Sequence, residues 1–290
     1  TVMKDGERVL TDDASRFDED KLIFHMIGRD LSDIYPPKSE RGDGREIFSF
    51  RRSAGPGRPA VEFSVREGEV LGVGGLAGQG QIPLLESIFG LGDVSGVVLA
   101  VRGRECRPAS PRQAMRAGIA LIPEDRQSQA AFPVLDIASN IAAASFDRHS
   151  RLGFFRRLAE IREVREMAAS LRVRMTSLAQ ELMFLSGGNI QKTVFARWLL
   201  AKPKVMVLLS PTSGIDIGTK QQIYSLIRDL AKSGVAVILL TGDMMELVGL
   251  CDRVMVMYGG AVSGMLRGGE ITEENIMAAS VARNQGRATA

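Results

Sequence analysis

Short apolar runs, each strand-sized and each separated from the next by helical signals, constrain this sequence more than any other feature. Residues 69–74 (EVLGVG), 119–122 (IALI), 205–209 (VMVLL), 235–240 (VAVILL) and 254–257 (VMVM) are almost wholly apolar. Such runs suit strands covered on both faces, as crossover helices cover a parallel sheet. The helical signals fall between them. Residues 82–89 are largely apolar and stop at Gly90. Ser110 as N-cap, Pro111 at the first position and Gly118 just past the end bracket a short helix. Ile223, Leu226, Ile227 and Leu230 stand at i, i+3, i+4 and i+7, and Gly234 closes that helix. The pattern predicts an α/β fold with a parallel sheet. Apolar residues at 45% and charged residues at 24% of 290 give a globular chain of one large domain or about two, and exclude disorder. The longest apolar stretches fall far below the ~20 residues of a membrane span.

Between about 134 and 183 the character changes. Leu158, Ile161, Ala168 and Leu171 lie on one face among Arg156, Arg157, Arg162, Arg165 and Arg172. This predicts an inserted helical subdomain with a basic outer face, which reads as a solvated surface before a partner site. The net charge of +3 is far from a nucleic-acid footprint, so no nucleic acid is expected. Cys106 and Cys251 form no CxxC, and His25 and His149 have no second ligand at metal spacing. No disulfide framework and no metal site are predicted, and a reducing cytosol is the default compartment. No signal peptide is read. Met244, Met245, Met255 and Met257 read as core filler.

The two ends of the chain resemble each other. Residues 1–10 carry two strand-like runs around Asp5-Gly6, a strong hairpin signal, and residues 256–262 (VMYGGAV) repeat the turn. One constant offset places Val2 on Val256, Met3 on Met257, Gly6 on Gly260, Glu19-Asp20 on Glu273-Glu274, Leu22 on Ile276 and Arg29 on Arg283. This points to an internal repeat. Residues 1 to about 35 are then expected to be the tail of a preceding copy, with a polar, breaker-rich linker over 36–45 and the main unit over 46–290. Thr1 in place of Met agrees with a fragment or a processed product.

Two glycine-rich segments carry the chemistry. Gly75-Leu76-Ala77-Gly78-Gln79-Gly80-Gln81-Ile82 comes after a buried strand and opens a helix, the setting of a phosphate-binding loop. Glycines let backbone N–H groups curl around an anion, and the helix N-terminus adds partial positive charge. The full motif places Lys and Ser/Thr where this chain has Gln81 and Ile82. Loss of that charge-assisted bond costs roughly 1.5–3 kcal/mol. Leu185-Ser186-Gly187-Gly188-Asn189-Ile190-Gln191-Lys192 precedes an apolar helix expected to begin near Thr193, with Ser186 as a natural N-cap.

LSGGNIQK resembles the signature of ATP-binding cassette (ABC) ATPases, especially the tandem-cassette ATPases of bacterial sugar importers (ribose, galactose or xylose type) and nucleoside importers. Pro123-Glu124-Asp125-Arg126, Pro211-Thr212-Ser213-Gly214-Ile215-Asp216 and Cys251-Asp252-Arg253 fall in the order this family shows. The resemblance implies a P-loop ABC nucleotide-binding domain: a parallel-sheet core, an antiparallel β subdomain and the inserted helical subdomain. Within that family the chain is similar to the C-terminal cassette.

The resemblance also implies what is missing. Gln81 and Ile82 stand at the Walker A lysine and hydroxyl, Leu209 and Ser210 at the two Walker B acids, Gly242 at the switch histidine and Glu124 at the Q-loop glutamine. Neither usual side-chain ligand for Mg²⁺ is present, and hydrolysis at this site should be negligible. Ser186, Gly187, Gly188 and Gln191 of the signature, with the D-loop Asp216, retain the residue types that serve ATP bound on the other cassette. The expected cofactors are therefore ATP in a composite site and Mg²⁺ only at the partner. Expected partners are an N-terminal cassette, transmembrane permease subunits touching Glu124–Arg126 and the helical insert and, indirectly, an external solute-binding protein. The implied location is the cytoplasmic face of the cell membrane, peripherally. A catalytically inert scaffold docked on the permease is the rival reading. A soluble ABC protein of translation or DNA repair would carry long basic arms, which this chain lacks.

Overall fold

A computed structural model describes residues 1–4, 7–13, 35–38, 44–151 and 154–281. The chain opens on an antiparallel hairpin, β1 (Val2–Lys4) and β2 (Glu7–Leu10). Its turn residues Asp5 and Gly6 lie outside the described residues, as do His25, Arg283 and the Glu19, Asp20, Leu22 and Arg29 positions of the expected repeat.

Beyond the hairpin stand two larger sheets. β3 (Glu46–Arg52), β4 (Val61–Arg66), β6 (Val97–Val101) and β7 (Arg104–Cys106) form an antiparallel sheet in the order β4-β3-β6-β7. Period-2 burial makes it one-sided: Val61, Phe63 and Val65 point inward while Glu62 faces solvent. The second sheet contains β5 (Val70–Gly74), β8 (Ile119–Ile122), β11 (Val205–Leu209), β12 (Ala236–Leu240), β13 (Arg253–Tyr258) and β14 (Ala261–Arg267), in the order β14-β13-β5-β12-β11-β8. Every neighbouring pair is parallel except β13 with β14. The core sheet is therefore mixed rather than purely parallel. Gly259 (φ 57°) and Gly260 (φ 78°) allow the tight reversal that adds the antiparallel edge strand.

The helices are α1 (Gln81–Ile88), α2 (Pro111–Ala117), α3 (Ile137–Ala142), α4 (Phe146–His149), α5 (Arg157–Ser170), α6 (Gly187–Leu200), α7 (Ile217–Lys232), α8 (Met244–Leu250) and α9 (Glu273–Val281). None among the described residues is long and apolar enough to cross a membrane. A short ribbon, Ser150–Arg151 with Phe154–Phe155, lies between α4 and α5. Ile137, Ile141, Val164, Ala168 and Leu182 form a second, smaller core within the helical insert. α6 belongs to both cores: Val194, Phe195 and Trp198 enter the large one, Ile190, Ala196 and Leu200 the small one. Its N-terminus is thereby fixed against both bodies.

Three expectations are corrected by the packing. Leu158 is 87% exposed, because α5 turns Val164 and Ala168 inward instead. The outer face of α5 is mixed rather than basic, since Arg162 approaches Glu166 at 3.7 Å and Arg148 of α4 approaches Glu163 at 3.9 Å. Met255 and Met257 are core residues, but Met245 is half-exposed at the start of α8.

Tyr35, just before the expected linker, packs on α7. The ring of Tyr35 stacks on Tyr224 of α7, with centroids 5.0 Å apart. A Cβ at Gly249 would fall 2.4 Å from that ring, so the close approach needs glycine. Burial first, then the carboxylates Asp243 and Glu246, push the Tyr35 hydroxyl up to about 12.

Candidate functional site

The glycine loop sits between β5 and α1, at the C-terminal edge of the sheet where α/β proteins place ligands. Gly75, Gly78 and Gly80 all take positive φ, at 125°, 79° and 92°. A Cβ on Gly75 would meet the Met257 carbonyl at 2.4 Å, so no other residue fits there. The loop is tied to its surroundings rather than open. Gln79 accepts the Gly259 N–H on Oε1 at 2.7 Å and the Gly260 N–H on its carbonyl at 3.0 Å. Gln81 is 5% exposed and its Nε2 donates to the Leu76 carbonyl at 2.8 Å, within the loop itself. The side chain at the cation position is thus consumed internally. Ile82 packs half-buried on the core and offers no oxygen.

The strand ends beside this loop are equally poor in ligands. Leu209 is sealed in the core at 1% exposure. Ser210 adopts φ 43°, a left-handed conformation that costs roughly 1–2 kcal/mol in a non-glycine residue. Its N–H donates to the Leu240 carbonyl at 2.7 Å, and its hydroxyl donates to Glu124 Oε1 at 3.3 Å. Glu124 and Ser210, widely separated in sequence, are therefore brought together. Gly242 has open space around it, and nothing steric demands glycine there. Among the described residues no cluster of three or more His, Cys, Asp or Glu could hold a metal ion.

The signature segment is arranged differently. α6 begins at Gly187, six residues before the expected Thr193, because the two glycines show no side-chain pattern yet take helical backbone. Ser186 is the N-cap by backbone conformation (φ −64°, ψ 155°), but its hydroxyl caps nothing. It accepts instead from Asn189 Nδ2 at 2.8 Å, and Asn189 Oδ1 accepts the Arg174 N–H at 2.8 Å. No side chain caps the first turn of α6; Ser186 is exposed and Gly187 partly exposed, while Gly188 is buried against Thr219. Gln191 is 2% exposed, so a side chain expected to serve the opposite site is packed inside.

Asp216 is the N-cap of α7, accepting from Thr219 N and Thr219 Oγ1, each at 2.9 Å. Burial works to raise its carboxyl, but these hydrogen bonds together outweigh that and hold it below the ordinary Asp value. A Cβ on Gly188 would lie 2.6 Å from Thr219 Cγ2, so α6 and α7 meet at this point. Arg126 closes the group. Its Nη1 donates to the Ser213 carbonyl at 2.5 Å and its Nη2 to the Gly214 carbonyl at 3.0 Å, and a Cβ on Gly187 would be 2.9 Å from Nη2.

Sequence reasoning missed the polar hub behind these loops. Glu246 is 1% exposed and accepts from Thr212 Oγ1 (2.6 Å), Tyr224 OH (2.7 Å), Thr241 Oγ1 (2.7 Å) and Lys220 Nζ (3.3 Å). Burial lowers the Lys220 ammonium, but Glu246 and Asp243 outweigh it and hold its value up. Asp243 and Glu246 have D-x-x-E spacing at a helix start, which reads as a surface capping box. The inward turn of Glu246 depends on Thr212, Lys220 and Tyr224, which no local pattern links to it. Arg228 is a second case: fully buried on α7, it pairs with Asp252 at 2.9 Å.

Comparisons with known proteins give the family and the fold. A sequence model of the family described as ABC transporter matches residues 59–213. The chain is 41% identical over 286 residues to a ribose import ATP-binding protein, RbsA 1, of Rhizobium johnstonii, covering 97% of this chain and 56% of that protein. It is 38% identical to the galactose/methyl galactoside import ATP-binding protein MglA of Clostridium tetani (96% of this chain, 56% of that protein). It is also 38% identical to the arabinose import ATP-binding protein AraG of Pseudomonas fluorescens (98% and 56%). The chain spans about half the length of these relatives. Among solved structures, a nucleotide-free ATP-binding cassette from an ABC transporter superposes with a TM-score of 0.65 at 18% identity, covering 78% of this chain and 93% of that one. An ATP-binding cassette in its ADP conformation gives 0.64 at 19% identity, covering 80% and 93%. At such identities these two establish the fold alone.

Proposed function

The chain belongs to the ABC transporter family, and from that premise we propose that it is the non-hydrolysing C-terminal cassette of a sugar-import ATP-binding subunit. In this reading its signature and D-loop complete an ATP site whose P-loop, Mg²⁺ and general base belong to an N-terminal cassette. The sugar class derives from what the relatives are named for: ribose, galactose or methyl galactoside, and arabinose import. The assembly would lie on the cytoplasmic face of the membrane, bound to permease subunits and served by an external solute-binding protein.

One observation carries the reading: the two faces of the site differ in what they leave available. On the P-loop face, Gln81 is spent on Leu76, and Leu209 and Ser210 provide no carboxylate. Phosphoryl transfer depends on positioned charge, with single donors worth about 2.7–4 kcal/mol, so several losses together leave no useful catalysis. On the signature face, no side chain caps the head of α6, and exposed Ser186 and partly exposed Gly187 present that helix end to the outside. A triphosphate fits such a helix end, because free N–H groups and the helix dipole both favour an anion.

The rival scaffold reading has its own support. Phe132, Val134, Leu135, Met183 and Phe184 are exposed at the edge of the helical insert, at 45–73%. Two backbone bonds, Leu182 N–H to the Leu135 carbonyl and Met183 N–H to the Pro133 carbonyl, join these segments into one apolar face suited to a permease segment. A docking face serves either reading, so the signature decides between them. Ser186→Arg in the assembled transporter should reduce transport-coupled ATPase about 100-fold or more, the loss typical of a blocked transition-state donor. Unchanged ATPase would leave the scaffold reading standing.

A further inference from the structure

We propose that Arg126 is a positioning residue for hydrolysis on the partner cassette: its two-pronged bond to the Ser213 and Gly214 carbonyls holds the D-loop backbone against the head of α6. This rests on the half-site reading above. Three segments far apart in sequence converge on one guanidinium, namely the turn after β8, residues 213–214 and Gly187. The root of Arg126 is as well fixed as its tip. It opens a π-helical turn over Arg126–Ala130, whose N-cap Asp125 accepts from Gln127 N at 2.9 Å and from Ser128 Oγ at 2.6 Å. Its own carbonyl accepts the Ala131 N–H at 2.7 Å. Such turns recur at functional sites.

Other contacts hold the residues on either side of Gly214. Thr212 is tied to Glu246, Ser213 N–H reaches the Ser210 carbonyl at 3.1 Å, and Asp216 is fixed by capping α7. Gly214, with φ 63°, turns its peptide so that the carbonyl meets Nη2. A planar guanidinium suits the task because its fork reaches both acceptors at once, whereas a lysine ammonium is a single point charge. Both acceptors are carbonyls, so the bonds fix backbone geometry rather than neutralise an acid.

The test is Arg126→Lys and Arg126→Gln in the assembled transporter, with Ser186→Arg as the control. Because Lys keeps the charge and loses the fork, both variants should lower kcat about ten-fold, the size of one charge-assisted hydrogen bond. KM for ATP should stay within about two-fold, since the P-loop that binds ATP lies on the other cassette. Amide hydrogen exchange at Gly214 and Ile215 should quicken by about ten-fold in the same assembly, a readout independent of turnover. A purely structural arginine would instead lower the unfolding temperature and leave the kcat of the folded fraction unchanged. Wild-type kcat in Arg126→Lys, or a loss seen in KM alone, overturns the assignment. If Ser186→Arg silences the ATPase while both Arg126 variants are normal, only the Arg126 assignment falls. If Ser186→Arg is itself silent, the half-site reading falls and takes this one with it.

Discussion

The glycine loop at residues 75–80 and the glycine pair at 187–188 are both strand-edge or loop elements opening a helix, yet they present opposite faces. The first turns its polar side chains inward: Gln81 bonds Leu76, and Gln79 receives two N–H groups from the Gly259–Gly260 turn. The second is braced from behind, by Arg126, Thr219 and the two cores that α6 joins, and has no side-chain cap. The contacts that hold one are not those that hold the other. Side chains can therefore change in the glycine loop without disturbing the glycine pair, because each segment draws its geometry from separate neighbours.

The largest expected effect lies in α7, the helix whose Thr219 packs against Gly188. Asp252→Ala would leave Arg228, fully buried on α7, without its carboxylate partner. Removing one member of a buried pair costs about 3–5 kcal/mol, so urea unfolding should show a loss of that order. Glu246→Ala should come next, at about 2–4 kcal/mol, since it strips the shared acceptor from Thr212, Tyr224 and Thr241. Equal stability in either variant would mean that α7 and the loops behind it are not held by these carboxylates.

A milder test rebuilds the other side. Gln81→Lys with Ile82→Thr should improve nucleotide binding by the isolated P-loop face about ten-fold, measured by equilibrium titration, through one charge-assisted bond to phosphate. Turnover there should stay undetectable, because Leu209 and Ser210 still provide no carboxylate. Brisk hydrolysis by that variant would erase the contrast between the faces.

The smallest effect is a pH response confined to the braced side. Asp216 in the fold sits below its ordinary value of 3.8, so folding favours its carboxylate form. Its capping contribution is therefore complete above that ordinary value and is lost as pH falls through the lower folded value. The Thr219 amide resonance should report that loss, and Asp216→Asn should abolish the titration.

Much of the fold is legible in the sequence, for identifiable reasons. The strands at 119–122 and 205–209 have the bounds of their apolar runs, because buried parallel strands tolerate little else. Helix α2 is bracketed by Ser110 and Gly118, as its sequence signals require, since φ 88° at Gly118 demands its glycine. The turn into the antiparallel edge β14 is marked by Gly259-Gly260, but the length of that strand is not, because its half-buried residues carry no clear period. The start of α6 lies ahead of its apolar pattern because glycines are invisible to a hydrophobic period. The Glu246 hub and the Arg126 brace are not legible at all. Both join residues dozens of positions apart through single polar atoms, and such links leave no mark on local spacing.

Tyr35 lies flat on Tyr224, and the hydroxyl of Tyr224 ends on Glu246. Tyr35 is thus stacked on the same helix that Asp216 caps. Because the Tyr224 hydroxyl also donates to buried Glu246, replacing Tyr35 is expected to disturb α7 and the Glu246 cluster before it disturbs any strand.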